Sequence, residues 1–245
     1  MKVIGIGLSK GGTGKTTVST TLANELRKFG KVLLVDGDPQ GNASCVFLKN
    51  FQKELADVLF EKCEINEAIE ESGLENLYIL PTNPVSTQLH DYKVSAKVND
   101  EWFFFQEKLQ LLKNFFDYVI IDTCPDFSAL EKNFFMACDE FIPVVNAGTF
   151  AVDGLSIFTL HLSQFQKQRH KTDLVQKTLV VNNINNSLNV DKMLKQQFTQ
   201  IQTFQNVIFI PQDQDFKLSQ FEQRPADKLK KETKEQIEKL AEVTK

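Results

Sequence analysis

Val3-Ile4-Gly5-Ile6-Gly7-Leu8, then Ser9, then Lys10-Gly11-Gly12-Thr13-Gly14-Lys15-Thr16-Thr17 is the stretch from which the fold is read. The first run is short and apolar, as a buried strand is; the second is glycine-rich and opens a helix-like segment, Thr16 to Phe29. Strand, glycine loop and helix in that order make a phosphate cradle. Gly11, Gly12 and Gly14 let the backbone bend so that successive N–H groups face one anion, and Lys15 adds a fixed positive charge. The helix offers the same anion its unpaired N-terminal N–H groups and the positive end of its dipole. Thr16, followed by Thr17, stands where its hydroxyl would reach a magnesium ion.

The loop departs from the standard phosphate-binding spelling G-x-x-x-x-G-K-[ST]. A match ending at Gly14-Lys15-Thr16 needs glycine at position 9, where the chain has Ser9, and a lysine, Lys10, opens the loop instead. The dinucleotide fingerprint G-x-G-x-x-G begins at Gly5-Ile6-Gly7 but fails, because Lys10 falls on its third glycine. A nucleoside triphosphate is the ligand this loop predicts.

Further along, strand and helix patterns alternate, which predicts an α/β fold: a doubly wound, mostly parallel sheet with helices on both faces. Strands are expected at Val32 to Val35, Leu77 to Leu80, Tyr118 to Ile121, Phe141 to Val145, Leu174 to Val181 and Val207 to Ile210. Helical patterns cover most of Ala43 to Ser72, then Glu101 to Phe116, Ser128 to Cys138, Gly154 to Gln168, Val190 to Ile201 and Pro225 to Glu242; Pro81 to Val98 has no clear pattern. The 245 residues are expected to form a single domain, residues 1–245. Neither a leader sequence nor a membrane-length apolar run is read, so a cytoplasmic location is expected. Cys45, Cys63, Cys124 and Cys138 have no metal or redox spacing and read as free thiols. A net charge of −4 leaves room for nucleic-acid contact only through a local basic patch.

Two further blocks carry chemistry. Leu33-Leu34-Val35-Asp36-Gly37-Asp38-Pro39-Gln40-Gly41-Asn42-Ala43-Ser44 ends one apolar strand in carboxylates, and Tyr118-Val119-Ile120-Ile121-Asp122-Thr123-Cys124-Pro125 ends another. A carboxylate closing a buried strand needs compensation for its charge, which marks Asp122 as a site residue. Asp38 lies at the same sheet edge as the loop, in a motif that also suits a plain turn. Asp36, two residues earlier, shares its side of the strand and would help organise the metal's outer shell.

Together these blocks resemble the deviant Walker A ATPases of the ParA/MinD group, most nearly the partition ATPases called ParA or Soj. Fainter likeness runs through Phe141-Ile142-Pro143-Val144 and Gly154-Leu155 to Ile210-Pro211, so it spans nearly the whole chain. The resemblance implies an ATPase that hydrolyses ATP to ADP and phosphate with Mg2+, using Lys10, Lys15 and Asp38 in catalysis. Metal contacts would come from Thr16, Asp38 and Asp122. Asp38 would orient the attacking water, and Lys10 would reach across an ATP-dependent homodimer to the partner's phosphates. Asn182 and Pro211 match where family members hold adenine, although Asn182-Asn183-Ile184-Asn185-Asn186 also reads as a polar turn.

A partition ATPase would hold DNA non-specifically as the ATP dimer, associate with the nucleoid, and respond to a ParB-like DNA-binding partner. Lys192, Lys195, Lys217, Arg224, Lys228, Lys230 and Lys231 are the candidate DNA contacts, interleaved with Asp227, Glu232 and Glu235 as a solvated face would be. Two departures from the family stand out: Gln212-Asp213-Gln214-Asp215 where an arginine often follows Ile-Pro, and Gly148 in place of an acidic residue. A MinD-like membrane cycle is disfavoured by the glutamate-rich end of the chain. An ATP-using metabolic or redox enzyme is a third alternative, its redox form weakened by the cysteine spacing.

Overall fold

Strands β1 (Lys2–Gly7), β2 (Val32–Gly37), β3 (Glu70–Glu71), β4 (Leu77–Leu80), β5 (Tyr118–Thr123), β6 (Glu140–Asn146), β7 (Thr178–Ile184) and β8 (Asn206–Pro211) line up as β3-β4-β2-β5-β1-β6-β7-β8. This is a computed structural model, and it describes residues 1–8, 10–95, 102–147, 151–171 and 173–245. All pairings are parallel except β3 with β4. Ten helices connect the strands among the described residues: α1 (Lys15–Leu26), α2 (Asn42–Phe47), α3 (Leu55–Leu59), α4 (Gln88–Val94), α5 (Phe104–Gln110), α6 (Ala129–Ala137), α7 (Ala151–Arg169), α8 (Asn189–Thr199), α9 (Gln214–Glu222) and α10 (Lys231–Thr244).

Strands buried on both sides explain the near-continuous apolar runs in the sequence. Alternate residues feed two cores: Val3, Leu33, Val35, Val119 and Ile121 face α3 to α8, whereas Ile4, Ile6, Leu34 and Ile120 face α1 and α10. Phenylalanine dominates the first core, with Phe135 meeting Phe127, Phe141, Phe158 and Phe165 at ring separations of 5.1, 5.0, 6.3 and 5.8 Å. Full burial of one such ring is worth about 1.5–3 kcal/mol.

β1 sits between β5 and β6, and the chain leaves it toward β2 on one side before returning to β6 on the other. The strand order therefore reverses at the C-terminal end of β1, where open α/β sheets take their ligands.

Several elements differ from the sequence expectation. Residues 43–72 form short pieces instead of a mostly helical region, because reciprocal caps Glu54/Asp57 and Glu64/Glu67 each restart the chain, the second as a single 3-10 turn over Ile65–Glu67. Residues 88–94 are helical. The segment before β7 carries an isolated bridge from Val175 to Glu140, and the strand itself starts at Thr178. α10 starts at Lys231, not Pro225, since Asp215 and Asp213 take the N–H groups of Lys228 and Lys230 and hold that segment out of a helix. α9 is an additional helix. Gly148, Thr149 and Phe150, with Ser9 and the start of the expected helix at Glu101, lie outside the described residues.

Candidate functional site

Gly12 and Gly14 both have positive φ, 72° and 87°, which turns the loop sharply between β1 and α1. No side chain caps α1 and its first turn carries no acidic residue, so its leading N–H groups stay open to an anion. Lys15 is buried and its ammonium donates to the Lys10 carbonyl at 3.2 Å. Burial pulls the Lys15 pKa below its usual value, opposed by the nearby Asp122 and Asp38 carboxylates. Thr13 is buried too, and its hydroxyl has no hydrogen-bond partner among the described residues. Lys10 is exposed on the loop.

β5 runs alongside β1 and β2, which brings Asp122 opposite Asp36 in register. Both carboxylates are fully buried. Asp122 accepts from Ser19 Oγ at 2.8 Å through Oδ1, while its Oδ2 has no partner among the described residues. Burial raises its pKa to about 6, against the Thr16 and Ser19 hydroxyls. Asp36 Oδ2 accepts from the Ser44 N–H and hydroxyl at 2.7 and 2.6 Å, and burial followed by the Asp122 charge raises its pKa to about 8. Asp38, less buried, closes a turn by accepting from the Gln40 N–H at 2.9 Å.

A cleft of ≈ 350 Å³ opens over these groups, lined by Gly11, Gly12, Gly14, Lys15, Thr16, Thr17 and Asp38 together with α2 and α9 residues. The structure thus brings Thr16, Asp38, Asp122 and the loop to one place. Asn182 lies on the other side of the loop, its amide donating to the Thr13 carbonyl at 3.0 Å. A bulge in β7, with Asn183 at φ 62°, follows it. Pro211 ends β8 opposite Ile184, buried.

Three neighbours of the loop escaped the sequence reading. Ser19 lies one helical turn beyond Lys15, a spacing that could have revealed it. Asn146 ends β6 and donates to the Gly12 carbonyl at 2.7 Å; a polar residue closing an apolar strand, the signal that marked Asp122, was there to be read. Gln220 comes from α9 and bonds Thr17 Oγ1 at 2.8 Å. Since α9 itself was not anticipated, no local signal pointed to Gln220.

The basic residues proposed for DNA behave unequally. Arg224 is held by Asp215, Glu222 and Asp227 at 2.6, 2.6 and 2.9 Å. Lys195 donates to Asn186 at 2.5 Å and lies over the Phe209 ring. Lys192, Lys217, Lys228, Lys230 and Lys231 are exposed. The acidic Asp213 and Asp215 have structural work: Asp213 caps α9, and Asp215 binds Arg224.

A parallel sheet with a lysine-bearing glycine loop at its switch point and a buried carboxylate closing the next strand defines a P-loop nucleotide-binding ATPase. Residues 1–177 match the AAA domain family AAA_31, and the chain belongs to that family, as a ParA/MinD-type partition ATPase. It is 32% identical over 178 residues to the sporulation initiation inhibitor protein Soj of Bacillus subtilis, spanning 71% of this chain and 69% of that protein. A plasmid partition protein of Borrelia burgdorferi B31 bound to AMPPNP matches with TM-score 0.82 and 25% identity over 99% of this chain and 98% of its own. The septum site-determining protein MinD of Pyrococcus horikoshii OT3, complexed with Mg-ADP, matches with TM-score 0.78 and 25% identity over 99% and 95%.

Proposed function

We propose that this chain is an ATP-driven partition switch, which hydrolyses ATP to ADP and phosphate and pairs with a second copy while the triphosphate is bound. The observation that carries this reading is the uncapped start of α1, with buried Lys15 facing the fully buried Asp122. Such a site has donors for phosphate oxygens and a carboxylate for a hard cation, but no neutral pocket in which either would rest unpaired.

Magnesium suits the donor set, because the buried Asp122 carboxylate lies beside the Thr16 hydroxyl and its Oδ2 has no hydrogen-bond partner by distance among the described residues. Thr16 and Asp122 would hold it, with Asp38 near, and the ion would neutralise charge on the β- and γ-phosphates. Lys15 and the loop N–H groups take the remaining phosphate charge. Asp38 lines the cleft and orients the attacking water. Lys10, exposed at the loop's mouth, is free to reach the nucleotide of a second copy. Pro211, at the end of β8, bounds the adenine position, while the Asn182 amide is turned to the Thr13 carbonyl of the loop.

DNA held by the ATP dimer is the output this reading assigns, through Lys192, Lys217, Lys228, Lys230 and Lys231, with a ParB-like protein stimulating turnover. A membrane cycle is less favoured: Ile237, Leu240 and Ala241 of α10 are buried in the core, so that face of the terminal helix is already covered. A metabolic ligase on the same scaffold would instead form product from a small substrate.

Calorimetry with the Lys15→Ala variant tests the site. Loss of ATP binding is expected; affinity equal to the parent would remove the loop from the account. ATP turnover measured with and without duplex DNA and with lipid vesicles separates the outputs, and stimulation by vesicles alone would favour the membrane reading.

A further inference from the structure

We propose that Asn146 and Asn182 act as a paired amide clamp that sets the shape of the phosphate loop before any ligand arrives. The inference rests on reading that loop as the triphosphate site. β6 and β7 are adjacent and parallel, and their register places Asn146 beside Asn182. From these two strand ends the side-chain amides reach consecutive carbonyls of the loop: Asn146 Nδ2 donates to Gly12 at 2.7 Å and Asn182 Nδ2 to Thr13 at 3.0 Å.

A planar trans peptide points its C=O and the following N–H in opposite directions. Holding the carbonyls of Gly12 and Thr13 therefore also aims the N–H groups of Thr13 and Gly14. The lysine side of the loop is tied in the same way, by Lys15 Nζ on the Lys10 carbonyl. Gly12 and Gly14 have no side chains to hold their positive φ values, and glycine loses more freedom on ordering than other residues. The clamp supplies that order from the sheet, so that the anion does not have to.

Two details agree with this. A Cβ on Gly14 would lie 2.1 Å from Asn182 Nδ2, so the amide sits where only glycine leaves room. Asn146 Oδ1 is buried with no partner among the described residues, and there the bond to the loop is what fixes the amide's orientation. Asn146 and Asn182 are thus positioning residues: they shape the groups that touch phosphate.

Base-free tripolyphosphate separates a loop clamp from a contact with adenine. Affinities of tripolyphosphate, ADP and ATP for the full chain and for Asn146→Ala, Asn146→Asp, Asn146→Gln and Asn182→Ala are measured by calorimetry with magnesium. Deleting one neutral hydrogen bond predicts about a three- to tenfold loss for the alanine variants, of similar size for all three ligands. Asn146→Asp replaces the donor with an acceptor facing a carbonyl, and should bind most weakly. Asn146→Gln, which keeps the amide, should recover part of the loss.

Amide 15N shifts of Thr13 and Gly14 in the ligand-free protein should move in the alanine variants while the unfolding midpoint stays near that of the parent. Should an alanine variant not fold, Asn146→Asp against Asn146→Gln still compares an absent donor with a kept one. Tripolyphosphate binding unchanged in both alanine variants overturns the clamp. So does Asn182→Ala weakening ATP while leaving tripolyphosphate untouched, since Asn182 would then serve the base. If the unmodified chain binds neither ATP nor tripolyphosphate, the triphosphate reading itself fails.

Discussion

Asp36 and Asp122 face each other from neighbouring strands, both wholly buried, and Lys15 is the cation placed against Asp122. Folding raises the pKa of Asp36 from 3.8 to about 8 and that of Asp122 from 3.8 to about 6. A raised folded-state value means that the native protein holds protons which the unfolded chain has released. Their contribution is complete below about pH 4 and is lost as pH rises through 6 and then 8, each tenfold difference in proton affinity between the two states corresponding to about 1.4 kcal/mol. Asp36→Asn should flatten this decline, because one amide oxygen can still accept both Ser44 bonds. Thermal unfolding of the nucleotide-free protein between pH 5 and 8 checks it, and parallel curves for parent and variant would contradict the assignment.

Among the elements, α9 links the site to the far end of the chain. Asp213 caps it through the Asp215 N–H at 3.1 Å and also takes the Lys230 N–H at 2.8 Å; Gln220, two turns later, reaches Thr17. Asp213→Ala removes both bonds, and should lower stability by about 1–2 kcal/mol. Nucleotide affinity should fall with it, since α9 walls the cleft. Denaturant unfolding and calorimetry on one preparation distinguish this from a local effect: reduced stability with unchanged affinity would uncouple α9 from the site. A comparable tie exists at α4, where Lys93 joins Asp126 at 2.9 Å and Cys124 Sγ at 3.0 Å, just beyond the strand that carries Asp122.

For the whole molecule, the proposed output depends on two copies meeting and on basic side chains facing DNA. Lys10→Ala should bind ATP yet stay monomeric in light scattering, and an ATP-dependent dimer of that variant would exclude the cross-subunit role. With ATP present, duplex binding should weaken as salt rises. Removing exposed Lys228 or Lys231 should reduce the slope of log affinity against log salt by about 0.9 for each phosphate that is no longer neutralised. Arg224→Gln should leave that slope unchanged, because three carboxylates already occupy the guanidinium. A fall in slope on replacing Arg224, with none on replacing the lysines, would redirect the DNA surface.

Whatever depends on local pattern could be read along the chain. The loop, the carboxylates at 36, 38 and 122 and the alternating order of elements were legible, because apolar strand runs, glycine spacing and a charge ending a buried strand are consequences of near neighbours. Distant contacts settled the rest. No run of residues says that Asn146 meets the Gly12 carbonyl, that Gln220 reaches Thr17 across 203 positions, or that three acids close around Arg224. Residues 43–72 broke into short pieces because two caps stop what periodicity alone would continue. The phosphate cradle and its sheet were thus written in the order of the residues. What holds the cradle in shape, and which basic groups stay exposed, came from the folded arrangement, since hydrogen bonds and ion pairs form between atoms that folding brings together.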